Sequence, residues 1–192
     1  MAGQLSLAFE TATVQVEDYF ALRPAPAAAD SLVKFAEGCR RLHGLSEPVY
    51  GPHRLHVTLN EVRSRRGPRK DDLEAALRAA ERVRFSPFPL AFGRLRTFRV
   101  RRDKQPTVLC CCAGAEELAA FRDALRQALT KEGLWRGRAG FEPHVTLIWD
   151  RQGVPPSELD QPIGWMAEDF ILLRTIRGKG RQIERGRWPL RA

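Results

Sequence analysis

The tetrapeptide His-Val-Thr-Leu occurs twice in this chain, at 56–59 and again at 144–147. Only four histidines are present: His43, His53, His56 and His144. At ordinary residue usage a given His is followed by Val-Thr-Leu roughly once in a few thousand cases. A generic strand pattern accounts for Val, Thr and Leu, but not for the repeated His ahead of them. In each copy polar and apolar residues alternate, as along a strand with one buried face. His56, Thr58 and Asn60 share one face, and Leu55, Val57 and Leu59 the other. In the second copy His144 and Thr146 oppose Val145, Leu147 and Trp149. A strand rises roughly 3.3 Å per residue, so each imidazole lies roughly 6.6 Å along the strand from its hydroxyl. Side by side, two such strands would gather two imidazoles and two hydroxyls around one small anion.

The flanking pattern repeats with the motif. Tyr19 to Leu22 reads as a strand closed by Arg23-Pro24. Pro24 and Pro26 then start a helix with the stripe Leu32, Phe35, Ala36, Cys39 and Leu42, stopped at Gly44. The first motif strand follows over 54–62. Later, Thr107 to Ala113 reads as a buried strand. Leu118, Phe121, Leu125 and Leu129 form a helical stripe ending near Gly133, and the second motif strand follows. Strand, helix and motif strand thus occupy 19–62 and recur over 107–149. The motif copies stand 88 residues apart, too far for a solenoid period.

Between the repeats, Asp71-Asp72 opens a helix with Leu73, Ala76, Leu77, Ala80 and Val83 on one side. Phe88, Leu90 and Phe92 alternate in a strand, and Pro87 and Pro89 mark it as an edge. Pro155-Pro156 and Pro162 punctuate an expected loop. Phe170 to Ile176 reads as a strand, and Gly178-Lys179-Gly180 turns it into a last strand ending near Trp188-Pro189. The expected fold is α+β: a duplicated, two-lobed domain with antiparallel sheets facing a central cleft and helices outside. Residues 1–18 are expected to be an N-terminal extension or an edge strand, and 19–192 a single bilobal domain.

Lys and Arg number 32 against 23 acids, a formal net charge of +9. That favours a polyanionic partner, most simply nucleic acid. The basic loop 63–70 and the stretch Arg94–Lys104 are candidate phosphate contacts, the bland alternative being a solvated surface. A loop over 134–140 carries Trp135, Arg136 and Arg138. Cys110, Cys111 and Cys112 are consecutive and Cys39 is distant, which fits small core residues rather than a disulfide framework or a zinc site. A reducing cytoplasm is therefore the expected compartment. No run of 18 apolar residues is present, and no basic, then apolar, signal pattern opens the chain. No membrane and no protein partner is expected.

Histidine titrates near neutrality, so one neutral and one protonated imidazole can serve as base and acid across a phosphorus centre. Thr58 and Thr146 are candidate donors to non-bridging oxygens. His53 and His56 face opposite ways on an extended segment, and no third ligand is evident, so neither metal nor cofactor is expected. No Gly-x-Ser-x-Gly and no P-loop occurs. His43 has a sufficient role as a cation at a helix end.

Paired His-x-Thr-x motifs in a basic α+β chain of this length resemble the 2H phosphoesterase superfamily. The resemblance is nearest to the RNA 2′,3′-cyclic phosphodiesterases, historically called 2′-5′ RNA ligases. It runs from Tyr19-Phe-Ala-Leu-Arg-Pro24, through Leu55-His-Val-Thr-Leu59 and Phe141-Glu-Pro-His-Val-Thr-Leu147, to Trp188-Pro-Leu190. It implies metal-independent hydrolysis of an RNA or nucleotide 2′,3′-cyclic phosphate to a 2′-phosphate. His56 would be the proton donor to the leaving 3′ oxygen and His144 the proton acceptor from water. Other readings remain: a 2H enzyme for another phosphoester (a 2′-5′ linkage or a cyclic ADP-ribose phosphate), or a non-catalytic RNA-binding module. Relatives often carry Arg two residues past the second motif, where this chain has Trp149. Trp149 is expected to pack in the core; stacking on a base is the alternative.

Overall fold

In a computed structural model, the residues described are 16–62, 71–134, 140–176 and 181–192. The expectations for 1–15, the basic loop 63–70, Trp135, Arg136 and Arg138, and the Gly178-Lys179-Gly180 turn lie outside them.

Strand β1 (Val16–Leu22) leads to helix α1 (Pro26–Leu42), a short 3-10 turn (Pro52–Arg54) and strand β2 (Val57–Glu61). Helix α2 (Asp72–Glu81) follows, then β3 (Phe88–Thr97), β4 (Gln105–Ala113), α3 (Ala115–Lys131) and β5 (His144–Asp150). Strands β6 (Ser157–Ala167), β7 (Asp169–Ile176) and β8 (Arg181–Pro189) complete the chain. The eight strands form one antiparallel sheet in the order β6-β3-β4-β5-β2-β1-β7-β8. The two motif strands are its centre. On either side of their seam lie four strands, β2-β1-β7-β8 and β5-β4-β3-β6. The repeat legible in the sequence is therefore β1-α1-β2 against β4-α3-β5.

The sheet has two unlike faces. Phe20, Leu22, Val57, Leu59, Val145, Leu147, Phe170 and Leu172 belong to the main core, which the helices cover. Alternation sends Tyr19, Ala21, Ile171 and Leu173 to the other face, where they form a second, small cluster. Strands β1 and β7 are thus buried on both sides over Tyr19–Leu22 and Phe170–Leu173, which is why those stretches are unbroken apolar runs. The stripe Leu118, Phe121, Leu125 and Leu129 of α3 is buried as its spacing requires. Phe121 meets Phe85, Phe88 and Phe170 at ring separations of 5.3, 5.8 and 5.2 Å. Helix α3 packs on β3 of its own half and crosses to β2, and α1 packs on β5 and β6, so each repeat's helix reaches a strand of the other half. Gly114, at φ +77° before α3, is required there because a Cβ would collide with the carbonyl of Pro89.

Several expectations are corrected. Leu42 is 80% exposed: the buried stripe of α1 runs Ala28, Ala29, Leu32, Ala36 and Cys39 and stops there. Strand β3 is interior, between β4 and β6. Its proline is tolerated because β4 ends at Ala113, opposite Ala91, so at Pro89 the β4 side carries no ladder to break. The loop expected around Pro162 is the edge strand β6; it is mostly exposed, so it carries little hydrophobic periodicity to read. Cys111 joins the main core, Cys110 is buried and Cys112 is exposed, all as free thiols. No helix among the described residues is long and apolar enough to cross a membrane.

Candidate active site

The site is assembled at the seam. Val57 of β2 pairs with Val145 of β5, antiparallel. Extending that register one residue each way sets His56 opposite Thr146 and Thr58 opposite His144. The four motif residues, two from each copy, therefore alternate in a diagonal square on the face away from the helices. Thr58, Thr146 and both histidines are all partly exposed, while Val57 and Val145 beneath them are fully buried.

Each imidazole is oriented in the same way. His56 Nδ1 lies 2.7 Å from the carbonyl oxygen of Arg54, and His144 Nδ1 lies 2.8 Å from that of Glu142. A carbonyl only accepts, so Nδ1 carries the hydrogen in both rings and Nε2 is the nitrogen left for chemistry. The local sequence supplies this device twice, with the acceptor two residues before each His.

The surroundings differ between the halves. His56 lies beside Tyr19, at a ring separation of 5.3 Å. The Tyr19 hydroxyl receives Gln182 Nε2 at 2.9 Å and meets Thr175 Oγ1 at 3.0 Å. Burial raises the phenol's pKa against both hydrogen bonds, so it stays a neutral donor. Burial also lowers the His56 pKa to about 4; the Arg54 carbonyl opposes this, and the positive charges of Arg23 and Arg54 add to it. Near neutrality His56 is uncharged in the free protein. His144 instead meets the ring edge of Phe98 at 4.8 Å, and Glu142 is held by Arg96 at 2.5 Å. Cys110, across the ladder from His144, is no nucleophile: burial, reinforced by Glu142, pushes its thiol up to about 12.

Asp150, 2% exposed, ties the two motifs' approaches together. Its carboxylate accepts from the backbone N–H of Ser46, Glu47 and Gln152 at 2.8, 2.9 and 2.8 Å, and from the Ser46 hydroxyl at 3.2 Å. Burial pushes its pKa up, but these donors outweigh it and hold the group below the usual carboxylate range. Tyr50 N–H also donates to the Leu147 carbonyl at 2.8 Å. The segment leading to His56 is thereby anchored on the strand that carries His144.

Trp149 is half-buried and is not in the core. An irregularity opposite Thr107 and Val108 shifts the alternation after Thr146, so Leu147, Ile148 and Asp150 are buried. The shift turns Trp149 to the face of His144 and Thr146, with the Arg102 guanidinium 5.7 Å from its ring. Tyr19 was visible in the sequence only as a strand residue. Gln182, 126 residues from His56, carried no signal at all. Among the described residues no group of three or more His, Cys, Asp or Glu is placed to hold a metal ion.

A bilobal α+β sheet with a His-x-Thr motif on each central strand is the fold of the 2H phosphoesterases. The sequence pattern of the 2′-5′ RNA ligase superfamily matches residues 27–174, and the chain belongs to that superfamily. No curated protein sequence matches it. Among solved structures it is similar to TT0787 of Thermus thermophilus, with TM-score 0.72 and 22% identity over 92% of this chain and 98% of the other. It is also similar to a phosphoesterase, with TM-score 0.69 and 20% identity over 92% and 98%. E. coli LigT solved with 3′-AMP gives 0.68 and 20% over 91% and 97%. At these identities the likeness establishes the fold.

Proposed function

We propose that this protein hydrolyses the 2′,3′-cyclic phosphate of an RNA or nucleotide end, leaving a 2′-phosphate, without a metal. The observation that carries the reading is the matched pair of imidazoles, diagonal to each other across the seam, each with Nδ1–H on a backbone carbonyl and each directly opposite a threonine. Water attacks phosphorus as His144 Nε2 removes its proton; the 3′ oxygen leaves with a proton from His56 Nε2. Thr58 and Thr146 donate to the non-bridging oxygens, where negative charge grows. His56 is uncharged in the free site. A bound phosphodiester anion favours its protonated form, so the acid is charged by the substrate itself. The capture of 3′-AMP by E. coli LigT in the same fold supports a nucleotide as the ligand class.

The test is to incubate the protein, in EDTA, with an RNA ending in a 2′,3′-cyclic phosphate and to identify the end formed. A 2′-phosphate is expected. A 3′-phosphate, or activity only after zinc or manganese is restored, would overturn the assignment.

A further inference from the structure

A cavity of about 480 Å³ lies at the ends of β3, β4 and β5, lined by Arg96, Thr97, Arg99, Gln105, Arg151 and the 153–156 loop. Its size is within the roughly 300–1,000 Å³ of small-ligand sites, yet its charge is that of a phosphate receptor. Residues 94–104 hold six basic side chains and one acid, a net +5 of the chain's +9. Arg99 has no acidic partner among the described residues. Arg151 pairs with Asp103, but both side chains are at least 70% exposed, so the pair is weak and exchangeable. Gln105 is already committed, its amide bonded to Val100 and Arg102; it shapes the wall and leaves the anion to the arginines.

The cavity is linked to the histidine centre through its wall residue Arg96, which pairs with Glu142, whose carbonyl holds His144. Phe98, next in sequence to the wall residue Thr97, presents its ring to His144, and Arg96 stands 5.9 Å over that ring. Trp149 shares the face of His144 and lies under Arg102. Cationic guanidinium groups interleaved with aromatic faces are the surface that single-stranded nucleic acid uses, phosphates on the arginines and bases on the rings.

We propose that this cavity is a backbone-phosphate subsite for a single-stranded RNA whose 3′ end occupies the His56–His144 centre. The protein would then be an enzyme of RNA ends rather than of free cyclic mononucleotides. This deepens the reading above and rests on it only for where the 3′ end lies.

Binding tests it without turnover. A 5′-labelled single-stranded RNA carrying a 3′-phosphate is titrated by fluorescence anisotropy across a salt series, with wild type, Arg99→Ala, Arg151→Ala and the double variant. Each substitution should weaken binding about tenfold, as loss of a charge-assisted contact does. Each should also flatten the log–log salt slope by roughly 0.7 per phosphate freed. Arg99→Lys and Arg151→Lys should keep the slope, which separates a charge contact from a folding defect. Arg96 is left intact because it holds Glu142. In turnover, KM for the cyclic-phosphate oligonucleotide should rise about tenfold in the double variant, and that for a cyclic mononucleotide less than twofold. Unchanged RNA affinity and slope in the double variant would overturn the proposal. So would equal losses for both substrates, because the arginines would then act on the histidine centre. If wild type turned over neither substrate but the binding losses stood, the hydrolytic reading would fall and the subsite would remain.

Discussion

Val57 stands opposite Val145, and through this pair the two halves of the sheet are joined. Both side chains are completely buried, and the residue on either side of each is a motif histidine or threonine. A slip of one residue by either strand at this pair would turn that strand's histidine and threonine toward the helices and break up the set of four. The core beneath the seam therefore holds the register on which the site depends.

His56→Gln and His144→Gln should each lower turnover of a cyclic-phosphate substrate by at least about 10²-fold, with the fold intact by circular dichroism. Thr58→Val and Thr146→Val should give smaller losses, because a hydroxyl donor is removed while the acid and base remain. Near-normal turnover in either histidine variant would end the two-histidine mechanism.

Substrate binding should be accompanied by proton uptake. Because the free His56 has a pKa near 4, an anion that restores its charge must draw a proton from the buffer near neutrality. Calorimetric titration with a 2′-nucleotide in buffers of different ionisation enthalpy reads this uptake. Wild type should take up about one proton more than His56→Gln. No difference between the two would remove His56 as the acid.

The same group predicts a dependence of stability on pH. Between pH 6.5 and 4 the unfolded chain binds a proton at His56 that the folded protein does not. Stability contributed by the neutral imidazole is present above 6.5 and is lost as pH falls towards 4, by up to about 3 kcal/mol. Urea midpoints measured across that window should fall with pH in wild type and fall less in His56→Gln. Equal falls would show that the buried imidazole is not the cause.

Asp150 behaves oppositely. Its folded pKa is depressed, so its contribution is present above the ordinary value of 3.8 and is lost as pH falls through the folded one. Asp150→Ala should cost about 2–4 kcal/mol at neutral pH, since it leaves the N–H groups of Ser46, Glu47 and Gln152 without their acceptor. It should also reduce turnover by loosening the approach to His56. Unchanged denaturation midpoints would show that the clamp is dispensable.

What the sequence determined by itself was the repeat. The two His-Val-Thr-Leu strands, the helical stripe of α3 and the apolar runs of β1 and β7 were legible because local periodicity and burial agree there. The histidine and threonine of each copy share a face for the same reason. Only the tertiary structure decided the rest, because it depends on partners distant along the chain. Which strand each motif strand meets, and in what register, is set by packing across the seam at Val57 and Val145. Whether a proline-bearing strand is interior depends on where its neighbour ends, as Ala113 does short of Pro89. The face of Trp149 follows from a ladder irregularity opposite Thr107 and Val108, which alternation alone would place in the core. The neutral state of His56 comes from desolvation at the assembled site, with the Arg23 charge adding to it. Periodicity in a chain reports what a residue must face; only the completed sheet decides what stands there to meet it.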